Sequence, residues 1–344
     1  MAGGSVNLYS DTQTRPTAGM RAAMAGAEVG DEQRRADPTV NALQERVAEL
    51  LGHEAALFLP SGTMCNEIAF RLHVGPGGDA ILLDRTAHPL IAEAGGPAAV
   101  SGAVLLALDG DGGVFTAAQL AAAISAPGDR YAPRSRVISV EQTTNMGGGR
   151  VWPLETISEV VGVARAHGLR AHLDGARLLN AVAASGVEAA SYASAFDTAW
   201  IDFTKGLGAP IGACLAGSKE LIEEAWRYKQ MWGGAMRQAG ILAAAGLYAL
   251  DHHVERLADD HANARLLADG LAELPGVRLD PGTVQTNIVI VSVDDAAALA
   301  AALDAEGVEV SRLDARRLRM VTHLDVDRAG CERALAAVAA ALAR

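Results

Sequence analysis

LRAHLDGARLLNAVAASGVEAASYASAFDTAWIDFTKGLGAP, residues 169–210, decides how the chain folds. Two short apolar runs, LRAHLD and TAWIDF, each break off into polar or glycine-rich sequence, and an alanine-rich stretch of helical character joins them. Strand, covering helix and second strand in that order form a βαβ unit of a parallel sheet. In an open sheet of this kind ligands gather beyond the carboxyl ends of the strands. Asp174 stands at one such end and Lys205 at the next. A carboxylate and an amine so placed can face one ring from opposite sides, the first keeping a pyridine nitrogen protonated and the second condensing with an aldehyde. Gly206, Gly208 and Pro210 follow the lysine and leave room for a planar ligand, and Thr204 offers a hydroxyl to a phosphate. Taken singly, Asp174 reads equally well as a turn cap and Lys205 as a solvated charge.

Working outward, EAALFLP, AILLD, AVLLAL and SRVISVE repeat the short apolar run, while PTVNALQERVAELLG, SGTMCNEIAFRLHV and LETISEVVGVARAHG carry a helical period. The rhythm predicts an α/β fold: a large domain at 18–250 with a mostly parallel sheet covered on both faces. Helical patterns from Lys219 to Leu267 lead out of it to a small α/β C-terminal domain at 251–344, with residues 1–17 packing near the latter. A third strand end, PSGTMCN at 60–66, passes through Ser61, Gly62 and Thr63 into a helix. Small residues and free N–H groups at a helix start suit a phosphate, though a plain N-cap reads the same way.

The totals narrow the function. A chain of 344 residues, half of them apolar, can bury a large core. Its 41 acidic against 29 basic residues, a net charge of -12, argue against a nucleic-acid groove or an anionic membrane as partner. MAGGSVNLYSDTQTRP lacks the apolar core of a signal peptide, and no apolar run reaches spanning length, so the cytoplasm is the expected location. Cys65, Cys214 and Cys331 lie too far apart to indicate a disulfide framework or a thiolate zinc site, and no metal is expected.

YSDTQTRP, DPTVNALQERVAELLG, LFLPSGTMCNEIA, GGGRVWPLE, HLDGARLLNA, TKGLGAPIGACLAGS, GGAMRQAG, QTNIVIV and RMVTHLD, in this order from about Leu8 to about Ala334, resemble the low-specificity L-threonine aldolases, within the wider group of aromatic-amino-acid and threonine β-eliminating lyases. The resemblance implies an aspartate aminotransferase-like fold (fold type I), pyridoxal 5'-phosphate as cofactor, and a homotetramer, a dimer of dimers with shared active sites. It makes Lys205 the Schiff-base lysine, Asp174 the partner of the pyridine nitrogen and His88 the imidazole stacked on the ring. Gly62 and Thr63 match the phosphate cup, and Arg237 a phosphate contact from the same or an adjacent subunit. Arg177 resembles the arginine near the ring oxygen and substrate carboxylate, and Arg319 and Ser10 the groups that hold that carboxylate.

Three positions depart from the pattern where the family touches the substrate side chain. EQTTN replaces ENTHN, so Thr144 stands for a histidine; QRRADPT replaces VYGEDPT, so Arg34 stands for a tyrosine; Ala92 stands for another tyrosine. Thr144 cannot act as a base near neutrality. Arg34 either welcomes an acidic side chain or pairs with Glu32 or Asp37. The expected reaction is reversible cleavage of a β-hydroxy-α-amino acid of the L-threonine or L-allo-threonine type to glycine and an aldehyde, with His88 or an ordered water as base. The alternatives are an aldolase for an acidic or bulky substrate, and β-elimination to a 2-oxo acid and ammonia.

Overall fold

The computed structural model describes residues 5–75 and 77–343; residues 1–4 of the N-terminal segment, Pro76 and the last residue of the C-terminal region lie outside it. In chain order its strands are β1 (Val6–Leu8), β2 (Ala55–Leu59), β3 (Ala80–Asp84), β4 (Val104–Leu108), β5 (Ser135–Glu141), β6 (Arg170–Gly175), β7 (Thr198–Asp202), β8 (Ala213–Gly217), β9 (Ile288–Ser292), β10 (Val308–Arg312) and β11 (Arg317–Val321). Seven form one sheet in the order β2-β8-β7-β6-β5-β3-β4. Every pairing in it is parallel except those of β8, which runs against both β2 and β7. The chain reaches β8 through the loop that carries Lys205, which turns it back along β7.

Burial on both faces explains the apolar runs. All five residues of β3 and of β7 are buried, because helices cover each side of the sheet. The helix Pro38–Leu51 shows how the covers are cut from the sequence. Asp37 accepts a hydrogen bond from the Val40 amide, Pro38 opens the first turn, and Gly52 ends the helix at φ 69°. Val40, Leu43, Val47 and Leu51 recur at helical spacing on its buried face.

The second sheet, in the order β1-β10-β11-β9, has its own core, which includes Leu8, Leu267, Val289, Leu303 and Met320. β1 pairs parallel with β10, so the N-terminal strand is tied to the C-terminal part of the chain, and the hairpin of β10 and β11 absorbs the basic run RLDARRLRMV. β3, β5 and β7 each end on a carboxylate, Asp84, Glu141 and Asp202, and β6 carries Asp174 one residue before its end.

Candidate active site

A cavity of about 630 Å³ opens beyond those strand ends, and Ser10, Gly62, Thr63, His88, Asp174, Arg177, Thr204, Lys205 and Arg319 all line it. These residues come from both ends of the chain and from the ends of four strands, β2, β3, β6 and β7. Only the packing of the small sheet against the large one brings Arg319 and Ser10 to Lys205.

Lys205 sits in the tight turn after β7. Its ammonium group meets Asp202, whose other oxygen accepts the Thr204 amide and hydroxyl, each at 2.7 Å. Its carbonyl accepts the Thr14 hydroxyl at 2.9 Å and the Gly208 amide at 2.9 Å, and Gly208 takes φ 75°, which favours glycine. The lysine is thus fixed at its backbone and led by one carboxylate. Thr204 differs from expectation: it lines the cavity, but its hydroxyl hydrogen is given to Asp202 and not held for a phosphate.

Gly62 opens the helix Gly62–His73, with Ser61 accepting from the Met64 amide at 3.2 Å. The amides of the first turn point out of a helix of 12 residues, a ready anion site. A Cβ on Gly62 would overlap the Trp200 indole. Gly62→Ala is therefore expected to lose about 1–3 kcal/mol of stability through overpacking; a denaturant midpoint equal to that of the parent would contradict this.

Asp174 is buried, and its two oxygens accept from the Ala176 amide (3.1 Å) and the Asn66 side chain (2.9 Å). Burial pushes its carboxyl above the ordinary carboxylate range, against the pull of Asn66, His88 and Lys205. Asn66 is the hub behind the cavity. Its amide group also donates to Glu93 at 2.7 Å, and its oxygen accepts the Trp200 indole N–H at 2.7 Å and His172 at 3.0 Å. Burial drives the His172 pKa down to about 3, so that ring is neutral, giving one N–H to Asn66 and accepting from Thr198 at 2.8 Å. His88 Nδ1 meets Glu93 at 2.8 Å. Burial opposes a charge on His88, but Glu93, Asp174 and Glu141 outweigh it and raise its pKa. Glu141 is itself pushed up to about 7 by burial and by Asp174.

The two cavity arginines are not equivalent. Arg177 is buried and its fork is closed on Asp11, with two contacts of 2.7 Å, so it arrives already neutralised. The substrate-carboxylate contact expected of it would have to compete with Asp11. Arg319 has no carboxylate partner among the described residues: it donates to Asn145 Oδ1 at 2.6 Å and to the Tyr9 carbonyl at 3.4 Å, and its buried Nε has no acceptor. Burial and the charge of Arg177 depress its pKa. Ser10 Oγ accepts from the Thr12 amide and hydroxyl.

Three expected residues stand outside this cavity. Thr144 is buried and committed to the chain, donating to the Gly112 carbonyl at 2.8 Å and accepting the Arg150 amide at 3.2 Å. Arg34 lies exposed at the end of the short turn Glu32–Arg34, and its suggested partners are otherwise engaged: Glu32 holds Lys229 at 2.8 Å, and Asp37 accepts the Val40 and Gly240 amides. Arg237 is exposed and pairs with Asp31 at 3.1 Å. Ala92 does line the cavity.

Sequence reasoning passed over Glu141 and Asp202, which the strand-end argument used for Asp174 would have found. Asp11 lay unweighed beside Ser10 in YSDT. Glu93 and Asn66 carried no signal, because their importance rests on side chains that meet only across the fold.

The residues fit pyridoxal 5'-phosphate carrying an amino acid. Lys205 suits its aldehyde, buried Asp174 its ring nitrogen, the helix start at Gly62 its phosphate, and the unpartnered Nε of Arg319 a substrate carboxylate. Seven mostly parallel strands with this cavity at their carboxyl ends define a fold type I enzyme. The solved structures bear this out: Leishmania major threonine aldolase superposes with a TM-score of 0.84 at 20% identity, covering 98% of this chain and 99% of that one. A Sphingomonas wittichii serine palmitoyltransferase superposes at 0.76, also at 20% identity, over 98% and 87%. The chain belongs to the beta-eliminating lyase family, whose model matches residues 7–295. It is 40% identical to the low specificity L-threonine aldolase of Escherichia coli K12 over 94% of this chain and 95% of that protein, and 38% identical to the low-specificity L-threonine aldolase 1 of Arabidopsis thaliana over 93% and 91%.

Proposed function

We propose that this lyase uses pyridoxal 5'-phosphate to cleave a β-hydroxy-α-amino acid of the L-threonine or L-allo-threonine type, reversibly, to glycine and an aldehyde. The observation that carries the reading is Arg319, a largely buried guanidinium that lines the cavity with Lys205 and has no carboxylate partner among the described residues. A buried charge left uncompensated is costly, and a substrate carboxylate is the natural counterion.

Lys205 would hold the cofactor, Asp174 its ring nitrogen, the amides at Gly62 and Thr63 its phosphate, and His88 a face of the ring. When bound, the cofactor supplies a sink for the electron pair released at the substrate α-carbon. Arg319, oriented by Asn145, fixes the carboxylate and so decides which bond at that carbon is aligned to break. His88, held through Nδ1 by Glu93, is the cavity imidazole able to take the β-hydroxyl proton.

Arg319→Gln removes the counterion while keeping a polar side chain. It is expected to lower kcat/KM by on the order of 10²-fold or more, about 2–5 kcal/mol, mainly through KM. Arg319→Lys should recover part of the loss, because a point charge lacks the planar fork. Equal KM values in all three proteins would remove Arg319 from the site.

The reading as a whole is tested by giving cofactor-loaded protein L-threonine, L-allo-threonine, a β-aryl serine and 3-hydroxyaspartate and analysing products by mass. Glycine with the matching aldehyde is the expected outcome. A 2-oxo acid with ammonia and no glycine would replace cleavage by β-elimination.

The same reading includes a homotetramer in the cytoplasm, with two domains divided as the sequence predicts. Arg34 and Arg237, exposed and outside their own cavity, are then available to a neighbouring copy's site. No helix among the described residues is long and apolar enough to cross a membrane. The buried free thiols of Cys65, Cys214 and Cys331 suit a reducing compartment.

A further inference from the structure

Behind His88 lies a second carboxyl group that the reaction itself does not call for. Glu93 and Glu67 are 5% and 7% exposed, the first five residues after His88 and the second on the helix Gly62–His73. Glu93 Oε1 accepts from both His88 and Asn66, whereas Glu93 Oε2 and both oxygens of Glu67 are buried with no N–H or O–H donor among the described residues. Three buried acceptor oxygens and no donor is an arrangement that ionised carboxylates cannot sustain. Both residues border Gly96, whose amide donates to the Glu93 carbonyl at 2.8 Å, and a single proton between the two acids would meet the deficit. Gly96 makes the approach possible: a Cβ there would run into the Glu67 carboxyl group.

We propose that Glu67 is held as the neutral acid and donates its proton to Glu93, keeping Glu93 ionised as the anchor of the His88 imidazole. Glu67 is thereby a positioning residue, acting on the active site through Glu93.

The proton belongs on Glu67 because Glu93 accepts two hydrogen bonds that favour its charged form, while Glu67 accepts none. Burial, and then the charge of Glu93, push Glu67 up to about 8. Glu93 is the charged group that acts on it; beyond Glu93 stand His88 and Asp174, with Glu141 facing His88. Near neutral pH the pair therefore carries one negative charge beside His88. Above the Glu67 titration it carries two, and Glu93 loses its donor.

The inference rests on the proposed function only for its consequence at the cofactor; the shared proton can be read without it. Infrared spectra of the full chain, with and without pyridoxal phosphate, are recorded while pH is raised from mildly acidic to alkaline. Expected is a protonated-carboxyl component that disappears with a midpoint at about 8, distinct from any due to Glu141, and missing from Glu67→Gln. In the loaded protein a step in the cofactor absorbance should accompany it and be absent from the variant, whose amide donates to Glu93 but cannot ionise. Glu93→Gln is the second variant: without the neighbouring charge, the Glu67 midpoint should fall by about one unit or more. Parent and Glu67→Gln spectra that titrate alike, or an unmoved midpoint in Glu93→Gln, would overturn the proposal. A protein that takes up no cofactor yet shows the Glu67 component would support the shared proton and defeat the proposed function instead.

Discussion

Lys205→Gln is expected to lower kcat by about 10³-fold or more, because it removes the one amine that the described residues of the cavity offer to an aldehyde. Glutamine serves the test better than alanine. The lysine meets one oxygen of Asp202, a buried carboxylate, and taking away that donor would unsettle the turn as well as the chemistry. A glutamine amide can still donate to Asp202, so the loss of rate separates from loss of fold. Two measurements decide it. Borohydride reduction followed by peptide mass analysis should find the pyridoxyl group on Lys205 in the parent and nowhere in the variant. Turnover within tenfold of the parent would show that Lys205 is not the attachment point.

Asp11→Ala is expected to cost about 3–5 kcal/mol of stability, since it strands the buried Arg177 guanidinium without its carboxylate. In a chain of this size that corresponds to a fall in Tm of on the order of 10 °C. Asp11 joins three parts of the fold. It belongs to the N-terminal segment that continues from β1, it holds Arg177 beyond β6, and it accepts from Asn287, just before β9, at 3.1 Å. The pH dependence follows in sign. Burial opposes the charge of Asp11, but Arg177, with help from Lys205 and Asn287, overrides it and holds the carboxyl far below the ordinary range. A depressed folded-state pKa gives stability that is whole above the unfolded value, about 3.9, and drains away as pH falls below it. The parent should therefore lose stability in acid more steeply than Asp11→Asn, which has no such charge to protonate. Parallel stability curves for the two proteins below pH 4 would refute the pairing as a source of stability.

The large sheet was open to reading because parallel strands covered on both faces must be apolar throughout. β2 to β7 announce themselves as runs between helical stretches. β8 does not. ACLAG is short and small-chained, and it follows a glycine-rich loop, so nothing in its composition separates it from that loop. Its antiparallel course is settled by the tight turn at Lys205 and by pairing with β7 and β2. The hairpin of β10 and β11 was hidden in the same way, its arginines reading as one basic surface run.

Asp174, Lys205 and Gly62 could be singled out by their place relative to local patterns: a strand end, a strand end before glycines, a strand-to-helix turn. Their residue types and order were enough to define an α/β chain with a lysine and an aspartate at adjacent strand ends. Which arginine is available was not. Arg177 and Arg319 carry the same charge, and only the arrival of Asp11 from the N-terminal segment neutralises one, while the other has no carboxylate among the described residues. The same holds for Thr144, whose hydroxyl is claimed by a glycine carbonyl 32 residues away, and for Glu67 and Glu93, which meet 26 positions apart. Local patterns record what a residue does to its own strand or helix. The charge state and accessibility of a buried polar group depend instead on partners that may be distant in sequence, and those partners exist only once the two sheets have packed.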